Sequence, residues 1–177
     1  MRIKNTTDKY GIVTISLHWL LAILMIGLLI LGIYMVELPI SLQKLKLYGW
    51  HKEYGFLVLG LAMIRIIWRL INITPELSIP AWEQFAARAV HWAFYGFMFA
   101  LPITGWLITS AAGLPASFFG LFTLPNLIAP NEELRHLFQE IHEWLGYALI
   151  AFIALHTAAA LKHHFIDKDD VLRRMLS

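Results

Sequence analysis

Four stretches of this 177-residue chain are apolar for long enough to cross a membrane, and the charged positions gather between them. The first, Tyr10 to Val36, holds no charged residue, and a helix needs about 20 apolar residues to span a bilayer core. It is too long for a signal-peptide core, and no small-residue cleavage pattern follows it. The pattern predicts helices over residues 12–36, 47–71, 85–110 and 139–163. Arg65 and Arg69 fall near the end of the second, where long cationic side chains reach toward headgroups. Residues 89–131 are uncharged and long enough for two spans, yet Gly113, Pro115, Gly120, Pro125 and Pro130 punctuate the second half. Prolines that close together break helices. The expectation is an outer loop over 111–138, with an interfacial segment around Phe118, Phe119 and Phe122, and a kink at Pro102. The fold class is therefore all-α: an integral membrane four-helix bundle, one domain over residues 1–177.

Composition agrees with a membrane protein. Hydrophobic residues make up 59% and charged residues only 15%, with mean hydropathy +0.64, against roughly 25% charged in soluble domains. The absence of cysteine excludes thiolate-ligated iron–sulfur clusters, covalent c-type haem and disulfides. Nothing in the composition points to nucleic acid. Four spans put both termini on one side. Arg2, Lys4, Lys9, Arg65, Arg69, Arg88, Lys162, Lys168, Arg173 and Arg174 lie on that side, and only Lys44, Lys46, Lys52 and Arg135 on the other. The positive-inside rule makes the termini cytoplasmic and the chain a multi-pass membrane protein.

Within this frame the histidines stand out, because ionisable side chains inside a bilayer are rare and functional by default. His142, Leu149, His156 and His163 recur every seven residues on one face of the last helix. At 1.5 Å per residue, His142 and His156 are ~21 Å apart. His18 matches His156 in depth near the cytoplasmic side, and His51 matches His142 near the outer side. Two such pairs imply two haem b groups, with His18 and His156 holding the inner iron and His51 and His142 the outer. A zinc or copper site would favour a tight cluster instead of pairs spread across the membrane. Gly55, Gly146, Ala159 and Ala160 beside the ligands leave room for a flat macrocycle. Arg65 and Arg69 are candidate contacts to the inner haem propionates, since guanidinium forks match carboxylates. His136, beside Arg135, reads as a solvated residue.

These residues resemble the bacterial cytochrome b561 family of four-helix di-haem membrane proteins over nearly the whole chain. The resemblance is carried by Ser16-Leu17-His18-Trp19, by His51 with Gly55, Arg65 and Arg69, and by His91 with Ala100-Leu101-Pro102-Ile103-Thr104-Gly105. In the last helix it is carried by His142-Glu143 with Gly146-Tyr147 and by the run His156 to His164. The compact length is similar to that of the small stand-alone members that act as superoxide:quinone oxidoreductases. The resemblance implies the same ligand pairs, superoxide as donor to the outer haem, and ubiquinone as acceptor beside the inner haem near His163. His91, near the cytoplasmic start of the third helix, is a second candidate quinone contact, or else a buried histidine bonded to backbone or a propionate. Lys44, Lys46 and Lys52 are expected to steer the superoxide anion, although Glu53, Glu132, Glu133, Glu140 and Glu143 share that side. The main alternative is a cytochrome b subunit that takes electrons from a dehydrogenase or hydrogenase partner protein and passes them to quinone. A haem-free structural protein is a third reading.

Overall fold

The computed structural model describes residues 2–76 and 79–176. Four long helices dominate: α1 (Ile12–Glu37), α2 (Leu42–Leu70), α3 (Ala81–Ala111) and α4 (Glu132–Lys162). α1, α3 and α4 are each long and apolar enough to cross a membrane. α2 is as long, but charges at both ends leave it a shorter apolar middle. Large apolar side chains point outward along the bundle, among them Ile23, Ile30, Ile64, Trp144 and Leu155. An apolar exterior of this kind suits lipid as the surrounding solvent.

α1 begins at residue 12, as the hydrophobic pattern indicates, whereas α2, α3 and α4 begin earlier, with side-chain caps at the starts of α2 and α4. α4 begins at Glu132, two turns before residue 139. Asn131 accepts the Leu134 N–H at 3.0 Å, and Glu132 and Glu133 fill the first turn. A cap of this type contributes about 1 kcal/mol, and acidic residues complement the positive helix end. α2 begins at Leu42, with Ser41 accepting from Lys44 N–H at 3.2 Å. α3 continues as helix through Pro102.

The segment between α3 and α4 forms a two-stranded antiparallel hairpin, β1 (Ala116–Phe118) and β2 (Phe122–Leu124). Its turn places Phe119 and Gly120 at positive φ, 48° and 69°. The hairpin is pinned to the end of α3. Ser110, wholly buried, accepts the Leu127 N–H at 3.1 Å, and Trp106 donates to the Pro125 carbonyl at 3.0 Å. Phe119 meets Tyr54 of α2 edge to face at 5.3 Å.

α4 packs along α3, α1 along α2, and α2 against α3. By contrast, α4 makes hardly any close backbone approach to α1 or α2. The core is a cluster of Leu21, Met25, Val58, Ala62, Tyr95, Phe97, Met98 and Leu149. Between helices in lipid, association rests on van der Waals packing and not on withdrawal from water, so this interdigitated cluster is what fixes the helix register. At the far end the chain termini close over the bundle. Asn5 accepts from the Gly11 N–H and the Thr14 hydroxyl, both at 2.8 Å, and donates to the Ile73 carbonyl at 2.6 Å. Trp19 donates to the Met175 carbonyl at 2.8 Å, and Arg174 to that of Glu76 at 2.7 Å.

Candidate functional site

The core cluster separates two layers of histidines. On every helix the same spacing recurs: His18 to Gly32, His51 to Arg65, His91 to Gly105 and His142 to His156 are fourteen positions apart. Midway on each lies a buried residue, Met25 (8% exposed), Val58 (3%), Met98 (4%) and Leu149 (2%). Two heptads keep three residues on one helix face. Each helix therefore contributes one residue to an inner layer, one to an apolar partition and one to an outer layer, over ~21 Å.

In the outer layer the ring centroids of His51 and His142 lie 6.1 Å apart, with the ring planes at 70° to each other. In the inner layer the corresponding distance between His18 and His156 is 6.3 Å. Two in-line metal–imidazole bonds of about 2 Å, with each ring centre ~1 Å behind its nitrogen, need about 6 Å between centres. Both pairs meet that requirement from opposite helices, across the gap that keeps α4 from α1 and α2.

The outer pair is further prepared. Gly32 backs the His51 ring, where an added Cβ would sit 3.3 Å from Cε1, and Gly105 backs His142, where it would sit 3.5 Å away. An added Cβ at Gly32 would make the His51 imidazole give by a few tenths of an ångström, whereas at Gly105 it would make an ordinary contact with His142. Gly55 opens onto empty space, and Gly146 meets only Leu29 at 3.9 Å. The space they leave is a cavity of about 640 Å³ lined by residues of all four helices, His51 and His142 included. Ligand pockets run from roughly 300 to 1,000 Å³, so the volume is that of a site for a large ligand.

Thr104 makes a contribution that sequence reading noticed only as part of a motif. Its hydroxyl lies 2.9 Å from His142 Nδ1 and donates back to the Ala100 and Leu101 carbonyls at 2.8 and 2.9 Å. With its own hydrogen committed, the oxygen accepts from Nδ1–H. That fixes the tautomer whose Nε2 lone pair is free for a metal. For a metal group held by His142, Thr104→Val is expected to cost about 10- to 100-fold in affinity, with Thr104→Ser restoring it; titration of the purified protein with haem, followed by visible spectroscopy, measures the effect. Among the described residues, Nδ1 of His51 has no hydrogen-bond partner.

The inner layer differs. Arg65 lies 3.3 Å from His18 Nδ1, and the His91 ring lies 5.9 Å from that of His156. Arg65 and Arg69 also approach the Tyr95 ring at 5.9 and 5.7 Å, and Arg69 the Trp92 ring at 5.5 Å. Tyr10, just ahead of α1, shares these surroundings, and its phenol is pushed up by burial against the opposing influence of Arg69, Arg174 and Arg65. Among the described residues, no carboxylate lies within ion-pair distance of Arg65 or Arg69.

His163 sits apart from both layers, in a π-helical turn (His163–Asp167) that ends α4. Its Nδ1 is 2.6 Å from Asp169 and 3.2 Å from Asp167, and its Nε2 is 4.0 Å from Glu83 on α3. The ligand atoms of His163, Asp167 and Asp169 lie within 4.8 Å of one another, a group able to hold a metal ion. Lys162 already brings an ammonium to it, 2.7 Å from Asp167 and 3.1 Å from Glu83.

The three lysines at the outer end part company. Lys44 is held by the Val36 and Leu38 carbonyls at 3.0 and 2.6 Å, which caps the end of α1. Lys46 is exposed. Lys52 alone of the three lines the cavity, together with Glu37, Glu140 and Glu143. Arg135 pairs with Glu132.

A family model described as prokaryotic cytochrome b561 matches residues 9–177. The chain is 38% identical to "cytochrome b561 homolog 2" of Escherichia coli (strain K12), over 99% of this chain and 95% of that protein. It is 30% identical to "cytochrome b561 homolog 1" of the same organism, over 96% and 97%. It is 32% identical to "probable superoxide oxidase CybB" of Yersinia pestis, over 95% and 96%.

Proposed function

The chain belongs to the prokaryotic cytochrome b561 family, and from that premise we propose that it is a di-haem b oxidoreductase passing electrons from superoxide to ubiquinone. It is a multi-pass protein of the bacterial inner membrane with the electron-transfer fold of its family. In the proposed arrangement α2 crosses with the other three helices, and both termini are cytoplasmic. The observation that carries the reading is the repeated pair: rings 6.1 and 6.3 Å apart, in two layers separated by a buried apolar partition.

A haem b at each pair would supply reversible one-electron chemistry. The chain's residues do the rest. His51 and His142 hold the outer group and His18 and His156 the inner. Gly32 and Gly105 give the outer rings their seats, and Thr104 orients one of them. Met25, Val58, Met98 and Leu149 exclude water and ions from the space between the layers, so electrons cross where protons do not. The balanced reaction consumes two superoxide anions, one quinone and two protons, and yields two dioxygen molecules and one quinol. Protons enter from the cytoplasmic side, where His163 lies between Asp169 and Glu83 and can take a proton at one nitrogen and release it from the other. His91, against His156, is the second candidate contact for the quinone. Lys52 is the cation placed to draw superoxide toward the outer pair, with Lys46 beyond it.

A second reading keeps the haems and replaces superoxide with a protein donor. It is favoured by the lining of the outer cavity, where Glu37, Glu140 and Glu143 accompany Lys52, a balance better suited to a basic partner than to an anion. One experiment decides between them. The purified oxidised protein is expected to show two haem b per chain and to develop reduced b-type bands on adding superoxide in the presence of catalase. Ubiquinone should then reoxidise it. A normal di-haem spectrum that superoxide leaves unchanged would select the protein-donor reading.

A further inference from the structure

The two layers are equivalent in position but not in charge. Gly32 and Gly105 stand behind the outer histidines; the residues behind the inner ones are Arg65 and His91. Thr104 accepts from His142, which makes that imidazole a more electron-rich ligand. Arg65 differs from Thr104: a guanidinium only donates, so beside a His18 that keeps its proton on Nδ1 and offers Nε2 to a metal it acts as a fixed positive charge 3.3 Å from the ring and not as a hydrogen-bond partner. Arg69 lies one turn further on, and among the described residues neither arginine is neutralised by a carboxylate. The outer cavity carries three carboxylates, Glu37, Glu140 and Glu143, against the one ammonium of Lys52.

We infer that Arg65 makes the inner layer the lower-energy resting place for an electron, so that the charge pattern of the bundle itself directs flow from the outer pair to the inner. The inference rests on the di-haem reading above. A positive charge close to a redox group stabilises its reduced state, and hydrogen bonding to the ligand together with local charge are the means by which a protein sets haem potentials. One electron leaves the outer group and one arrives at the inner, with no atom transferred. Arg65, 3.3 Å from the His18 ring, acts on the inner group through its charge, as a positioning residue.

The test is an equilibrium redox titration of the haem-loaded protein, followed in the visible bands. Haem content is measured first, and fewer than two haems in the wild type would sink the di-haem reading before the inference is reached. Wild type is expected to titrate in two waves, with the inner haem reduced first. Arg65→Gln should shift one wave to lower potential by at least a tenfold change in its reduction equilibrium, about 59 mV for one electron. Arg65→Lys, which keeps the charge, should leave that wave within half of this. Repeating Arg65→Gln in a His142→Leu background, where only the inner haem is expected, assigns the shifted wave. Unmoved waves in Arg65→Gln, an equal shift in Arg65→Lys, or a shift confined to the outer haem would each overturn the inference. If Arg65→Gln loses the inner haem, the lysine variant decides alone: a single wave in place of two overturns it, and two waves at wild-type positions support it.

Discussion

His142→Leu is expected to leave one haem per chain in place of two and to abolish reduction by superoxide. The imidazole occupies the outer layer opposite His51, with its ring seated on Gly105 and its Nδ1 bonded to Thr104 at 2.9 Å. Leucine has similar bulk and no metal-binding atom, and it suits the apolar wall of the cavity. Thr104 still donates to the Ala100 and Leu101 carbonyls, so no buried donor is stranded and the helices should stay packed. Haem content by pyridine haemochrome, beside total protein, reads the result. His51→Leu should give the same loss, because both ligands serve one group. Two haems retained in either variant would show that the outer pair had been assigned wrongly.

His156→Leu should separate the two half-reactions. The outer haem remains and superoxide still reduces it, but quinol formation falls below a hundredth of the wild-type rate, an added barrier of ~2.7 kcal/mol or more. The residue lies seven positions beyond Leu149, on the other side of the partition. Without it, His18 has lost the ring 6.3 Å away. Rapid-mixing spectroscopy with superoxide, followed by an assay of quinol, gives both rates from one preparation. Quinol production at the wild-type rate would mean that quinone meets the outer layer, and the proposed direction across the membrane would be wrong. His91 is close enough to His156, at 5.9 Å between ring centres, that its own replacement is a useful companion: loss of quinol formation with both haems kept places His91 at the quinone.

Much of this protein was legible in the residues alone. Long apolar runs dictate helices, because a backbone in lipid must satisfy its hydrogen bonds internally. The heptad His142–Leu149–His156 put two histidines and a spacer on one face of α4 before any neighbour was known. Helix starts were less legible, since a cap such as Asn131 acts through one local hydrogen bond and leaves no mark on hydropathy. The hairpin at Ala116–Leu124 was also hidden, because two three-residue strands fall below the length at which alternation can be read.

Local composition and periodicity along one helix were enough to reveal the membrane class, the four helices and the four histidines. How those helices face one another emerged from their packing alone. That Gly32 backs His51, that Thr104 holds His142, that Lys44 caps α1 while Lys52 lines the cavity, and that Arg65 stands behind His18 are relations between residues up to 47 positions apart in the chain. They depend on the register in which packed side chains lock neighbouring helices together. A periodic pattern names the face that packs and leaves open which residue of the next helix it meets.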